Sequence, residues 1–151
     1  MTVPTSALTA EQSFAVQDVT GGLYVYRSKG IGQELAAGDE VCATGKLTEY
    51  HGLLELQPAS PAHIIRLAAG KPPQPQVFEP GKIGEATEGR LVSVTDLVSG
   101  LGDRRFRVSG AAIFLEKQAG ITTAGLKEGC PATVIGLSAA YDSPQIWPRA
   151  S

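Results

Sequence analysis

Two tyrosines, Tyr24 and Tyr26, are the first side chains in this chain whose type and spacing suit a flat ligand. They lie two residues apart in an alternating apolar and polar run, and successive side chains of a strand point to opposite faces. If Leu23 and Val25 point into a core, both tyrosine rings face outward together. We interpret the pair as a surface on which bases or other rings stack. The alternative is a pair of ordinary exposed strand residues.

Arginines supply a second kind of chemistry in the later part of the chain. Residues 100–107 read GLGDRRFR, and alternation turns Phe106 inward and Arg105 and Arg107 outward. With Arg104 beside them and Phe114 as a neighbour, these guanidinium groups could hold phosphates. The alternative is a solvated, charged strand edge that prevents aggregation.

A third group of candidates lies around the first tyrosine pair. Gln17 is expected on the same outward face and could bond a base edge or a phosphate, whereas His51 could also be a plain surface turn residue. Loops of small barrels often frame such a face. The connection around residues 46–51 therefore contributes further candidate binding residues. The predicted nucleic-acid-binding residues are therefore Gln17, Tyr24, Tyr26, Lys46, Tyr50, His51, Arg104, Arg105, Arg107 and Phe114.

Short strands must position these side chains. Residues 14–18 and 22–26 alternate and are joined by a turn containing Gly21 and Gly22, which predicts a hairpin. Residues 27–37 are expected to be a loop or a short helix, and Gly45 is expected to bend a long strand over residues 39–50. Further strands are predicted at residues 3–8, 53–57, 63–67, 90–97, 104–109, 112–115, 132–139 and 145–147.

An internal repeat organises these strands into two copies. Residues 35–45, LAAGDEVCATG, recur 91 positions later as residues 126–136, LKEGCPATVIG, and Tyr50 and Tyr141 keep the same spacing. Each copy supplies five or six strands, and five strands with a loop or short helix between the third and fourth are the plan of an OB-fold barrel. We therefore predict an all-β chain of two tandem OB-fold five-stranded barrels, with a β-sandwich as the alternative. Residues 1–70 form the first barrel, residues 71–80 a proline-rich linker and residues 81–151 the second barrel.

Composition narrows the classes of function. The net charge of −2 counts against strong, salt-driven binding to duplex DNA. No apolar run is long enough to cross a membrane, and the first residues lack the pattern of a signal peptide. Cys42 and Cys130 are expected to be free thiols, with a bridge between the copies as the alternative. No metal-ligand cluster, nucleophile elbow or phosphate loop is visible, so we expect neither an enzyme nor a cofactor or metal.

Three stretches carry a family resemblance: residues 14–26, FAVQDVTGGLYVY, residues 38–45, GDEVCATG, and residues 49–56, EYHGLLEL. They resemble the OB modules attached to bacterial extracellular nucleases, and residues 85–94 resemble the start of the following module. The resemblance implies a tandem OB-fold, an accessory role in nucleic-acid binding and an extracellular or periplasmic location. The catalytic domain of those nucleases has no counterpart among these residues, so the resemblance implies no hydrolysis by this chain.

Two hypotheses of different classes follow. The first is a non-catalytic module that binds single-stranded DNA or RNA weakly and works beside a nuclease. The second is a structural or protein-interaction module that spaces or docks a catalytic domain, with its tyrosines buried in a protein contact. Glycan binding through the same aromatic residues is a third, and no membrane partner is expected.

Overall fold

A computed structural model describes the backbone of residues 2–10 and the whole of residues 13–115 and 121–148. The described chain is all-β, as predicted, with short 3-10 turns at Pro61–His63, Pro80–Lys82 and Glu85–Thr87. None of the described residues forms a helix long and apolar enough to cross a lipid bilayer. The strands are β1 (Thr2–Ala10), β2 (Ser13–Gln17), β3 (Gly22–Tyr26), β4 (Glu40–Ala43), β5 (Lys46–Tyr50), β6 (Leu53–Gln57), β7 (Ile64–Ala68), β8 (Gln76–Val77), β9 (Leu91–Ser99), β10 (Arg105–Val108), β11 (Ala111–Phe114), β12 (Pro131–Ala140) and β13 (Pro144–Pro148).

The N-terminal half, β1 to β7, forms one seven-stranded sheet in the order β5-β6-β3-β2-β1-β4-β7. The predicted hairpin is confirmed: β2 and β3 pair antiparallel with Phe14 opposite Val25. Its turn is fixed by Asp18, whose carboxylate accepts the Thr20 backbone N–H at 2.7 Å. A core of apolar side chains lies on the inner face of the sheet, made by Phe14, Val16, Val25, Ile31, Val41 and Ile64.

The predicted long strand over residues 39–50 is two strands, because the chain bends at Thr44 and Gly45. β4 pairs with β1 and β7, whereas β5 pairs with β6. A Cβ atom on Gly45 would lie 2.5 Å from the carbonyl oxygen of Gln57, so only glycine fits where the bent strand crosses the end of β6. The bend expected at Gly45 is thereby confirmed.

The C-terminal half, β8 to β13, contains a closed barrel of five strands. The pairings run β9-β10-β11-β13-β12 and return to β9, and β11 and β13 are parallel. The short strand β8 pairs with β9 but is not part of the closed ring. Pairings between the described residues close only this barrel, and the order in the N-terminal half is open between β5 and β7. The barrel interior is filled by Val92, Val94, Val98, Phe106, Val108, Ala111, Ile113, Leu115, Val134 and Ile146.

The two halves meet in a buried contact, which we call the seam. Ala15 and Tyr24 on the outer face of β2 and β3 pack with Leu137 and Ala139 on β12. The backbones approach so closely that a Cβ atom on Gly22 would lie 2.2 Å from the carbonyl carbon of Gly89. The outer face of β2 and β3 is therefore largely covered by the second half.

The segment between the halves has no regular secondary structure from residue 69 to residue 75, and Gln76 and Val77 then pair with β9. Its first residues lie against Gly38, where a Cβ atom would lie 2.6 Å from the carbonyl carbon of Lys71. The cysteines Cys42 and Cys130 are free thiols, as expected.

An ion pair between the buried carboxylate of Asp39 and the exposed Arg66 gives a first prediction, on how stability depends on pH. Asp39 is 4% exposed and accepts hydrogen bonds from Arg66 Nε at 2.9 Å and from the Ala36 N–H at 2.8 Å. These bonds, the Arg66 one first, lower the pKa of Asp39 below its ordinary 3.8. A lowered native pKa stabilises the fold above pH 3.8, and the gain is lost as pH falls through the native value.

Asp39→Asn keeps the shape of the side chain and removes its charge. We expect the variant to melt at a lower temperature than the wild type at neutral pH, with the gap closing as the pH falls below 3.8. Thermal melts followed by circular dichroism between pH 2 and pH 7 measure this. A gap that stays constant over that range would contradict the assigned role of the carboxylate.

Candidate functional site

The outer face of the C-terminal barrel is open at β10, β11 and β13. Arg105 and Arg107 are exposed while Phe106 and Val108 are buried, so the predicted alternation of β10 is confirmed. Arg105 lies directly opposite Phe114 in the β10–β11 pair. We call the outward surface of β10, β11 and β13 around Arg105 and Phe114 the open face. It includes a hollow of about 320 Å³ lined by Arg105, Phe114, Tyr141, Gln145 and Trp147.

Two guanidinium groups flank the Phe114 ring. Arg104 Cζ lies 5.5 Å and Arg105 Cζ 6.0 Å from its centroid, within the range of a cation–π contact. Arg104 also donates from Nε to the carbonyl oxygen of Leu115 at 3.3 Å. Within the described ranges no hydrogen bond or ion pair engages the Arg105 side chain, so its guanidinium donors are available to an anion.

Two turns, one from each half, meet at the end of the open face. The His51 and Tyr141 rings stack with centroids 4.1 Å apart, and Tyr50 lies 6.2 Å from Tyr141. His51 Nδ1 lies 2.8 Å from a carboxylate oxygen of Asp142, whose N–H donates to the His51 carbonyl. His51 and Asp142 both have positive φ, at 48° and 62°, so the backbone reverses at equivalent points of the repeat. Three aromatic rings are thereby held together at the surface.

The structure corrects the predicted exposure of Tyr24 and Tyr26, although both rings lie on the predicted face of β3. Tyr24 is only 9% exposed because its ring packs in the seam, 5.6 Å from the Trp147 ring at an interplanar angle of 77°. Tyr26 lies on the same covered face and is half-buried. Gln17 is also buried, and its side-chain oxygen accepts the Leu91 N–H at 2.6 Å. Tyr24 and Gln17 therefore hold the halves together and are not available at the surface.

The remaining predicted residues fall into two places. Tyr50, His51, Arg104, Arg105, Arg107 and Phe114 belong to the open face and the turns beside it. Lys46 lies at the other end of β5, four residues and roughly 13 Å from Tyr50, where it pairs with Gln57.

Sequence reasoning assigned Tyr141, Gln145 and Trp147 no place in this site. Tyr141 carried a signal, because it repeats Tyr50 at the spacing of the two copies. Trp147 packs on Tyr24 in the seam and also lines the hollow of the open face. A tryptophan at a barrel edge gives no sign in the sequence that it serves both purposes.

A second hollow across the seam has the opposite electrostatic character. It is lined by Glu49, Glu85 and Glu88. Burial, and then the charges of Glu85 and Glu49, raise the pKa of the Glu88 carboxyl, against the backbone N–H of Leu54, which lowers it. Such a surface repels phosphates. Among the described side chains no group of three or more His, Cys, Asp or Glu residues could hold a metal ion.

Comparison with known proteins shows a similarity to a bacterial endonuclease. The chain is 37% identical over 92 residues to Endonuclease YhcR of Bacillus subtilis (strain 168). That match spans 57% of the chain and only 8% of the endonuclease. No protein-family model matches the chain, and no solved structure matches it.

Proposed function

We propose that this chain is a non-catalytic module that binds single-stranded nucleic acid weakly on its open face, in support of a nuclease. One observation carries the proposal: Arg104 and Arg105 flank the Phe114 ring, and the same surface continues through Trp147 to Tyr141. Rings stack on bases of any identity, and guanidinium groups pair with the phosphates between them. The similarity to an endonuclease over a small part of that protein fits an accessory module.

We further propose that the closed barrel is an OB-fold and that the N-terminal half is a second copy of it. The strand order β9-β10-β11-β13-β12, with one parallel pair, supports the first assignment. Gly45 and Gly136 support the second, because they are equivalent in the repeat and occupy equivalent tight crossings. A Cβ atom would lie 2.5 Å from the Gln57 oxygen at Gly45 and 2.3 Å from the Trp147 oxygen at Gly136.

Single strands fit this surface better than duplexes. The rings of Phe114, Trp147 and Tyr141 need unpaired bases to stack on, which a duplex does not offer. Few cations stand on the open face and the net charge is −2, so backbone attraction alone is weak. The same arrangement suits RNA and DNA, since stacking does not distinguish them.

The salt dependence of binding tests the role assigned to the arginines. Arg105→Gln and Arg107→Gln should each lower the slope of log affinity against log salt by about 0.7 for a lost phosphate contact. Fluorescence anisotropy with a labelled 12-nucleotide single strand measures the slope from low to moderate salt. Lys71→Gln is the matched control, because Lys71 is an exposed cation on the linker that lines none of the hollows described above.

Equal slopes for all four proteins would contradict the assignment of phosphate contacts to the open face. If Lys71→Gln lowers the salt slope as much as the two arginine variants do, the slope depends on net charge and not on contacts at the open face.

A second candidate function is a protein-interaction module. β7 is an edge strand whose Ile65 and Leu67 are 50% and 52% exposed, and an unpaired apolar edge can accept a strand from a partner. The acidic net charge favours this candidate, whereas the paired rings and guanidinium groups of the open face favour nucleic acid.

A further inference from the structure

We propose that a third hollow, outside the open face, is a phosphate-binding subsite for the same single strand. This inference rests on the proposed function and extends the bound strand from the C-terminal half onto the N-terminal half. The hollow has a volume of about 250 Å³, and its wall includes Tyr26, Arg27, Lys29 and Gln57.

The chemistry of this hollow is cationic. Arg27 is half-buried and held by one hydrogen bond from NH1 to the Gly30 carbonyl oxygen at 2.7 Å, which leaves other guanidinium donors for a ligand. Lys29 is exposed on the same loop. Lys46 lies opposite Gln57 in the β5–β6 pair, and directly opposite residues share a face, so a third cation stands beside the hollow.

One acidic group stands near these cations. Glu55 is 4% exposed and accepts a hydrogen bond from Gln57 Nε2 at 3.2 Å. Burial raises the pKa of this carboxyl, against the smaller opposing effect of the Gln57 bond. Its charge also lies behind Gln57 and away from solvent, so the surface presented to a ligand stays cationic.

The hollow adjoins the open face across the seam. Tyr26 follows Tyr24 by two residues on β3 and so lies on the same face, and the Tyr24 ring contacts Trp147 of the open face. Tyr26 and Trp147 pack against the same seam cluster. A strand stacked on Phe114 and Trp147 can therefore continue past Tyr26, with its phosphates reaching Arg27 and Lys29. Sites of about 4–16 nucleotides per OB-fold allow this length.

The subsite predicts that affinity depends on strand length. The probes are a fluorescein-labelled dT4, which fits on the open face alone, and dT12, which reaches both places. Arg27→Gln with Lys29→Gln should weaken dT12 binding roughly fivefold. It should also lower the dT12 salt slope by about 1.4, while dT4 binding stays unchanged. Arg105→Gln is the matched variant and should weaken both probes.

A second double variant is needed because Arg27 anchors its loop through the Gly30 carbonyl, and its loss could disturb the local fold. Lys29→Gln with Lys46→Gln removes two exposed side chains that make no hydrogen bond or ion pair within the described parts of the chain, and it should show the same length-dependent loss. If neither double variant weakens dT12 binding while Arg105→Gln does, the proposed subsite is wrong and the proposal for the open face is retained. If the wild type binds neither probe at low salt, both proposals fail.

Discussion

Gly22→Ala is expected to destabilise the protein by about 3 kcal/mol, the upper part of the range for overpacking. The added methyl carbon would lie 2.2 Å from the carbonyl carbon and oxygen of Gly89. Both neighbours are backbone atoms, so no side-chain rotation can relieve the contact. The two halves would have to separate locally, which would expose Tyr24 and the alanines of β12. Urea unfolding followed by circular dichroism measures the loss.

Gly21→Ala is the matched control at the preceding residue. A Cβ atom on Gly21 would have no atom within 4 Å, so this variant should differ from the wild type by less than about 1 kcal/mol. Equal stability of the two variants would contradict the close approach of the halves at Gly22 and Gly89. A loss at Gly22 alone would show that the seam is part of the folded core.

Phe114→Ala is expected to weaken single-strand binding by about 1–3 kcal/mol, the value of one base stacked on one ring. The substitution also removes the surface over which Arg104 and Arg105 are held, so their geometry loosens as well. Anisotropy titrations with a labelled single strand at constant salt measure the change. Stacking involves no counterion release, so the salt slope should change little.

Leu67→Ala is the control for loss of apolar bulk, since Leu67 is half exposed on the edge strand β7, outside the open face. It should leave binding unchanged. If the Phe114 variant binds as tightly as this control, the Phe114 ring does not contact the bound strand, and the protein-interaction candidate is favoured.

Alternation along the strands predicted much of the local structure. The hairpin of β2 and β3, the inward Phe106 and the outward Arg105 all follow from the period of two and from turn residues. The bend at Gly45 was also predictable, because a glycine inside a strand pattern often marks a close backbone approach.

Alternation could not show which outward face is covered. Tyr24 and Arg105 both point out of their own sheets, yet Tyr24 is buried in the seam and Arg105 is exposed. The difference arises from packing between segments more than 100 residues apart, where Tyr24 contacts Leu137 and Ala139. A local pattern contains no information about that contact.

The sequence contained part of the information needed to predict the aromatic cluster at the two turns. Tyr50 and Tyr141 keep the repeat spacing, but a repeat does not say that its two copies face each other. The stack of His51 on Tyr141 depends on how the halves dock, and docking is fixed by seam contacts such as Gln17 with the Leu91 N–H.

Binding of one labelled strand with and without its complement shows whether the open face selects single-stranded nucleic acid. The wild-type chain is titrated by fluorescence anisotropy against a 12-nucleotide single strand and against the same strand in a duplex, at low and at moderate salt. Because Phe114, Trp147 and Tyr141 need unpaired bases, we expect tighter binding of the single strand at both salt concentrations. No binding of the single strand at low salt, or duplex binding that is equal or tighter, would contradict it.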